Sequence, residues 1–141
     1  MLQKMRVLLL VCVTAVLAAC GDGDGGSDES PNFAGNYAIS TLNLNSNNCN
    51  AATPGTIAGG TDVVTQNGRA ISVGTGSDAI GGSVDADNGG FTVSETEIYS
   101  GVPVLSTFAF RTITTGSKYE IRFTTTAGAC SIVYVGTATK I

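Results

Sequence analysis

A pair of glutamates is the arrangement in this chain that could perform acid–base chemistry. On a β-strand, Glu95 and Glu97 share one face and lie roughly 6.5 Å apart. Phe91 and Val93 belong to that face, so an uninterrupted strand would point both carboxylates inward. There the pKa of one glutamate would rise, and its protonated carboxyl group could serve in acid catalysis or ligand binding. We favour the alternative that the strand leaves the rim of the fold and that both glutamates are solvated. A bulge before Ile98 would then shift the alternation, so that Ile98 lies on the apolar face.

Two Asp-x-Asp sequences could supply oxygen ligands to calcium. Asp22 and Asp24 resemble the start of an EF-hand loop, but that loop also needs an oxygen ligand near residue 26 and a glutamate near residue 33, and neither is present. Asp85 and Asp87 precede a glycine turn, in which aspartate is a common residue. We therefore expect a tether and a turn at these places, and we predict no metal and no other cofactor.

The remaining catalytic options are few. The chain has no histidine, which is the commonest general base and metal ligand. Ser83, Ser94 and Ser106 have no partner in the sequence pattern that could activate them. We expect no catalytic residues, and we predict that the protein is not an enzyme.

The first nineteen residues have the organisation of an export signal. Lys4 and Arg6 form a short basic start, and residues 7–19 are almost wholly apolar. Thirteen helical residues rise only about 20 Å, which is too short for a hydrocarbon core of roughly 30 Å. Residues 1–19 are therefore interpreted as a secretory signal peptide.

The end of this segment, Leu17-Ala18-Ala19-Cys20, resembles the lipobox of bacterial lipoproteins. The resemblance implies that the Cys20 sulfur carries a diacylglycerol, that the signal is cut before it, and that the new amino group is acylated. Two or three acyl chains make a stable anchor. Gly21 implies the outer membrane, facing the periplasm, or the outer face of the membrane in an organism that has only one. The alternative is a plain secretory signal.

Residues 20–31 are predicted to form a lipidated tether, because they are rich in glycine, serine and aspartate and cannot bury enough apolar surface to order themselves. After cleavage, 122 residues remain, which suits one domain over 32–141. The mature chain then has five basic and eleven acidic residues, a net charge of −6. This balance indicates no nucleic-acid partner.

The cysteines supply a covalent link. If Cys12 leaves with the signal and Cys20 carries lipid, Cys49 and Cys130 remain, and in an exported protein such a pair most simply forms a disulfide. Closing a loop of about 80 residues would stabilise the fold by on the order of 4 kcal/mol.

The domain has the pattern of an all-β fold. Alternating apolar and polar residues, interrupted by glycine-rich turns, predict about eight strands joined in an antiparallel meander. Because the disulfide brings the first and last strands together, we predict a closed barrel, with a β-sandwich as the alternative. The strands are expected at residues 33–43, 57–66, 69–75, 79–86, 91–99, 104–114, 118–126 and 130–139.

The clearest tight turn is expected at Asn67-Gly68, which is a strong hairpin signal. In that register Gln66 faces Arg69 and Val64 faces Ile71. Val64, Ile71 and Val73 would then share the buried side.

Residues 33–37, Phe-Ala-Gly-Asn-Tyr, resemble the opening of lipocalin-like and avidin-like barrels, with Tyr37 in place of the tryptophan. Those families are eight-stranded meanders that hold small molecules. The resemblance implies an alternative function, a carrier of a small apolar ligand, with glycines 59, 60, 81 and 82 thinning the wall. The candidate ligand-binding residues are aromatic: Tyr37, Phe91, Phe108, Phe110, Tyr119 and Phe123.

The leading expectation is a lipid-anchored envelope protein with a non-enzymatic interaction or structural role. Its partners would be the membrane, through the anchor, and an envelope protein or a small apolar ligand. The long Asn43–Gly60 loop, held by Cys49, is the candidate working surface together with the outer face and the other rim loops. A lesser alternative is an inhibitor of an envelope-degrading enzyme, since Gly116-Ser117-x-Tyr119 resembles a serine-glycine-x-x-tyrosine stretch of periplasmic lysozyme-inhibitor lipoproteins.

Overall fold

A computed structural model describes residues 30–141. The predicted signal peptide, the lipidation site Cys20 and nearly all of the tether lie outside the described residues. Within 30–141 the chain forms ten β-strands and one short 3₁₀ helix, Gly76–Asp78. The all-β prediction is confirmed. The strands are β1 Gly35–Ile39, β2 Leu42–Asn47, β3 Thr56–Ile57, β4 Gly60–Asn67, β5 Ala70–Val73, β6 Ile80–Val84, β7 Gly90–Tyr99, β8 Val102–Thr114, β9 Lys118–Ala127 and β10 Cys130–Lys140.

The strands form a closed antiparallel barrel, as predicted, and the sandwich alternative is wrong. Strands β4 to β10 follow one another as a meander, β1 pairs with β4, and the β1–β10 pairing closes the ring of eight. First and last strands are therefore neighbours, as the disulfide required. Closure leaves no long open edge along the barrel wall, where unpaired backbone groups would invite aggregation.

Strands β2 and β3 are additions to the ring. β2 follows β1 along the edge of β10, and the chain bends between them at Ser40, whose N–H donates to Thr137 O at 2.8 Å and whose Oγ accepts from Thr137 N at 2.9 Å. The predicted first strand, 33–43, is thus split in two. The predicted long loop Asn43–Gly60 is also corrected, because β2 continues to Asn47 and pairs with β3.

The predicted register of the β4–β5 hairpin is wrong by one residue on each side of its turn. Asn67 pairs with Ala70 and Gln66 with Ile71, so Gly68 and Arg69 are the two turn residues. Gly68 has φ +59° and Arg69 is not in the positive-φ region, which fits a turn with glycine at its first central position. The buried side is as predicted: Val64, Ile71 and Val73 lie in the core.

The two ends of the barrel differ. We call the end at which Phe33 enters the barrel the proximal end. Phe33 is buried there with its ring centroid 5.2 Å from that of Phe91, and its N–H donates to Gln66 Oε1 at 2.7 Å. The last residue lies at the same end, where the Ile141 N–H donates to Asn36 O at 2.9 Å. The proximal end is therefore filled by side chains and by both ends of the described chain.

The opposite, distal end carries the β7–β8 and β9–β10 turns and the disulfide. Strand β10 runs from Cys130 to Lys140, and Lys140 pairs with Tyr37 near the proximal end, so Cys130 lies at the other end. The start of β8 lies beside the end of β9, where Leu105 pairs with Thr126.

In the part of the chain described, no helix is long and apolar enough to cross a membrane.

Candidate interaction surface at the distal end

The six aromatic residues predicted to bind a ligand divide into two groups. Four are buried completely and fill the proximal half of the lumen, with ring centroids 4.4 to 6.4 Å apart. The other two stack on each other at 4.4 Å, are only partly buried, and adjoin Tyr134 at 6.3 Å. The first group is Tyr37, Phe91, Phe110 and Tyr119, and the second is Phe108 and Phe123.

The proximal group is a structural core. Tyr37 has no exposed surface, and its hydroxyl donates to Phe33 O at 2.7 Å. Burial raises the pKa of Tyr37 far above its ordinary value, and the neighbouring hydroxyl of Tyr119 adds to this shift. Tyr119 itself is 1% exposed and belongs to this core.

Glu95 and Glu97 do not form a buried pair, and the prediction that they are solvated is confirmed because both side chains are exposed. The expected bulge before Ile98 is wrong. The β7–β8 ladder continues without a register shift from Gly90, opposite Arg111, to Tyr99 at the tip. β7 has no β6 partner after Val93, and β8 has no β9 partner before Leu105, so an undistorted β7–β8 ladder carries both glutamates into solvent.

This extension, residues 94–106, is called the distal ribbon below. Its turn consists of Ser100 at φ +50° and Gly101 at φ +81°. Two consecutive positive φ angles are typical of the type I′ turn, whose twist matches that of paired strands. The ribbon is therefore a regular hairpin, held by its own ladder.

Large apolar side chains are exposed on the ribbon. Ile98 is 67% exposed and Leu105 is 43% exposed, and Tyr99 and Val102 fall between them. Single exposed apolar residues are ordinary, but several on one short hairpin are typical of an interaction site. Ile98 and Leu105 lie on one face of the hairpin, and Tyr99 and Val102 are paired on the other. Four of the six large apolar residues exposed within 30–141 lie on this hairpin, and none of the four is a predicted site residue.

The two faces of the ribbon differ in chemistry. Ile98 pairs with Pro103, and Thr96 with Leu105, so one face is largely apolar. The other face is mixed: it carries Glu95, Glu97 and Tyr99 on β7, because side chains alternate along a strand, and Val102 and Val104 opposite them on β8. The Tyr99 hydroxyl donates to Glu97 Oε2 at 2.6 Å, and this bond to a carboxylate raises the pKa of Tyr99.

One edge of the ribbon has unpaired backbone. The ladder between β6 and β7 ends at Gly82 opposite Val93, and no pairing within residues 30–141 continues it along the rest of β7. The Asp85 N–H donates to Gly90 O, so the carbonyl of Gly90 faces β6. Because backbone groups alternate in direction along an unbulged strand, Thr96 and Ile98 point their N–H and C=O groups to that same open side.

The predicted disulfide is confirmed: Cys49 and Cys130 are joined, with Cα atoms 4.9 Å apart. The segment after β2 is also held by hydrogen bonds. Asn47 Nδ2 donates to Ala51 O at 3.2 Å, and the Tyr134 hydroxyl donates to Pro54 O at 2.8 Å. This part of the predicted working loop is thus fixed against β10 at the distal end.

The Asp85-x-Asp87 sequence forms a charge cluster with arginine. Arg111 Nη1 lies 3.3 Å from Asp85 Oδ2 and 3.2 Å from Asp87 Oδ2. The pKa of Asp87 is lowered, chiefly because its carboxylate accepts a hydrogen bond from the N–H of Gly89 and also because Arg111 is near. Residues 30–141 contain no group of three or more potential ligands placed to hold a metal ion.

The four glycines expected to thin the wall behave in two ways. Gly60 and Gly81 have open space where a Cβ would lie. A Cβ at Gly59 would collide with the backbone of Ser40, and one at Gly82 would lie 2.6 Å from Val93 Cα. Gly59 and Gly82 therefore permit close approach of two backbone segments, which is a different role from the one expected.

Comparison with protein-family models, with curated proteins and with solved structures gives no significant match for this chain.

Proposed function

We propose that this chain is a lipid-anchored protein of the cell envelope with a non-enzymatic interaction role. In this proposal Cys20 carries the lipid, residues 20–31 form the tether, and the barrel is a rigid platform. The distal ribbon is the surface that engages a partner. The observation that carries the proposal is the set of large apolar side chains exposed on a regular hairpin at the distal end.

The position of the chain ends supports this arrangement. The tether would join the barrel at Phe33, so the proximal end would face the lipid. Twelve flexible residues span about 20 Å on average. The thirteen residues of β8 span up to about 43 Å along the strand. The ribbon would therefore extend away from the anchoring membrane, where it could reach another envelope component.

The proposal is tested by photo-crosslinking in the cells that make the protein. A photoreactive amino acid at position 98 is expected to give a discrete adduct, because Ile98 is exposed on the ribbon. Position 113 is the matched control, since Ile113 is 56% exposed but lies on β8 towards the proximal end. Adducts at 113 with none at 98, or none at either position, would contradict the proposed working surface.

A second candidate is the carrier of a small apolar ligand, and one observation favours it. Phe108 and Phe123 stack on the inner side of the barrel and are only partly buried, which leaves aromatic surface towards the distal end. Native mass spectrometry of the protein purified from its host would show retained ligand mass. A Phe123→Ala variant should then lose that mass, whereas Ile113→Ala should keep it.

A further inference from the structure

We propose that the open edge of β7 in the distal ribbon accepts an extended segment of a partner protein as an additional β-strand, and that this segment alternates apolar and basic residues. The inference rests on the proposed function, because it names the class of partner that the ribbon would engage. It is carried by three features of the ribbon: its free backbone groups, the division of its faces and its charge.

The free backbone groups supply the affinity that any extended peptide could use. Thr96 and Ile98 each present an N–H and a C=O to the side that β6 no longer covers, in the alternating spacing of a strand. Addition of a strand to an exposed sheet edge satisfies such groups with main-chain hydrogen bonds. The paired β8 strand and the tight turn already hold this edge in strand geometry, so little ordering is needed.

The faces of the ribbon determine the side chains of the incoming strand. On one face the strand would lie beside Thr96 and Ile98, with Leu105 beyond them, and apolar residues suit that surface. On the other face it would lie beside Glu95 and Glu97, which favour lysine or arginine as cross-strand neighbours. Successive residues of a strand point to opposite faces, so the partner must alternate apolar and basic.

The charge of the ribbon selects the partner and disfavours a second copy of this chain. The ribbon has two carboxylates, and all five basic residues within 30–141 lie elsewhere in the sequence: Arg69, Arg111, Lys118, Arg122 and Lys140. Pairing of two β7 edges would bring glutamates of one copy against those of the other. Like charges on neighbouring strands are destabilising. A basic strand from another protein has the complementary charge.

The test uses the untruncated protein purified from the cells that make it and a fluorescent, end-capped peptide of about eight residues that alternates valine and lysine. We expect saturable binding by fluorescence anisotropy, slower amide exchange at Thr96 and Ile98, and weaker binding as salt rises. A peptide that alternates valine and glutamate, and one with its valines and lysines in separate blocks, should not bind. Equal binding of either control peptide would overturn the proposal.

Variants assign the binding to the edge. Thr96→Pro removes an N–H that faces the open side and leaves the β8 ladder intact, so it should weaken binding more than about tenfold. Joint replacement Glu95→Gln and Glu97→Gln should weaken it about fivefold. Glu120→Gln, a change of an exposed glutamate outside the ribbon, is the control and should leave binding unchanged. Full binding by Thr96→Pro would contradict strand addition.

The failure of this inference is distinguishable from failure of the proposed function. If the peptide does not bind while position 98 still crosslinks in cells, the ribbon engages a partner by another mode and only strand addition is wrong. A dimer of the free protein that Thr96→Pro dissociates would make a second copy the occupant. Binding to phosphatidylglycerol vesicles that Ile98→Ser abolishes, without peptide binding, would make lipid the occupant. Either result overturns the inference.

Discussion

Replacement of Gly82 by alanine tests how the barrel wall ends and the distal ribbon begins. Gly82 and Val93 form the last pair of the β6–β7 ladder. An added Cβ would lie 2.6 Å from Val93 Cα and closer still to the Thr92 carbonyl oxygen. Both neighbours are backbone, so no side-chain rotation can relieve the contact, and the two strands must separate.

The cost follows from that geometry. Forcing an extra methyl into a filled site typically costs about 1–3 kcal/mol, and loss of ladder hydrogen bonds places Gly82→Ala near the upper end. Gly81→Ala is the matched control, because a Cβ there has open space and alanine restricts the unfolded chain. That variant should be neutral or gain about 0.5 kcal/mol. The two variants should thus differ by about 3 kcal/mol.

Urea-induced unfolding followed by circular dichroism measures both free energies of unfolding. Amide exchange on the same samples should show faster exchange along the β6–β7 pairing in Gly82→Ala only. Equal stability of the two variants would refute the reasoning, because the close backbone approach at Gly82 would then carry no energetic weight.

Three further predictions concern the disulfide and two tyrosines. Replacing Cys49 and Cys130 together by serine should lower the free energy of unfolding by up to about 4 kcal/mol, since the bond closes a separation of 81 residues; an unchanged urea midpoint would refute this. The raised pKa of Tyr37 means that stability is fully present below about pH 10 and falls by up to about 1.4 kcal/mol per pH unit above it. Alkaline unfolding of Tyr37→Phe should lack this component, and an identical pH profile would contradict it. Glu97→Gln should lower the pKa of Tyr99 towards its ordinary value, because the carboxylate that accepts the hydrogen bond of the Tyr99 hydroxyl is gone. NMR of labelled tyrosine measures this pKa.

Much of the barrel could be predicted from local sequence, because side-chain alternation reports which strand face is buried. Residues 119–124 alternate without interruption, and in the structure Tyr119 and Ile121 are buried while Glu120 and Arg122 are exposed. The closure of the ring could also be predicted, because one disulfide between the first and last parts of the domain restricts the topology to those in which they meet.

Register and strand ends could not be predicted in the same way. Either choice of turn residues at 67–70 leaves Val64 and Ile71 on the buried side, so the hydrophobic pattern does not distinguish them. The extent of β2 could not be predicted because Asn43–Asn47 is polar except for Leu44, and the segment is a strand through its pairing with distant β10.

The distal ribbon was missed because apolar residues ordinarily indicate burial. The segment Val102–Leu105 suggests a core strand, and Ile98 suggests a bulge after which the alternation of buried and exposed side chains shifts by one residue. Whether such residues are covered depends on how far the neighbouring strands extend. Here the β6 ladder stops at Gly82 while β7 continues to Tyr99, and sequence patterns within β7 and β8 contain no information on that difference.

The claim on which the functional account depends most is the anchor at Cys20. Mass spectrometry of the intact protein extracted from host membranes measures it directly. We expect a chain that begins at Cys20 and carries the mass of a diacylglycerol, with or without a further acyl chain on the new amino group. A chain that retains residues 1–19, or one that begins at Cys20 with an unmodified thiol, would contradict the account.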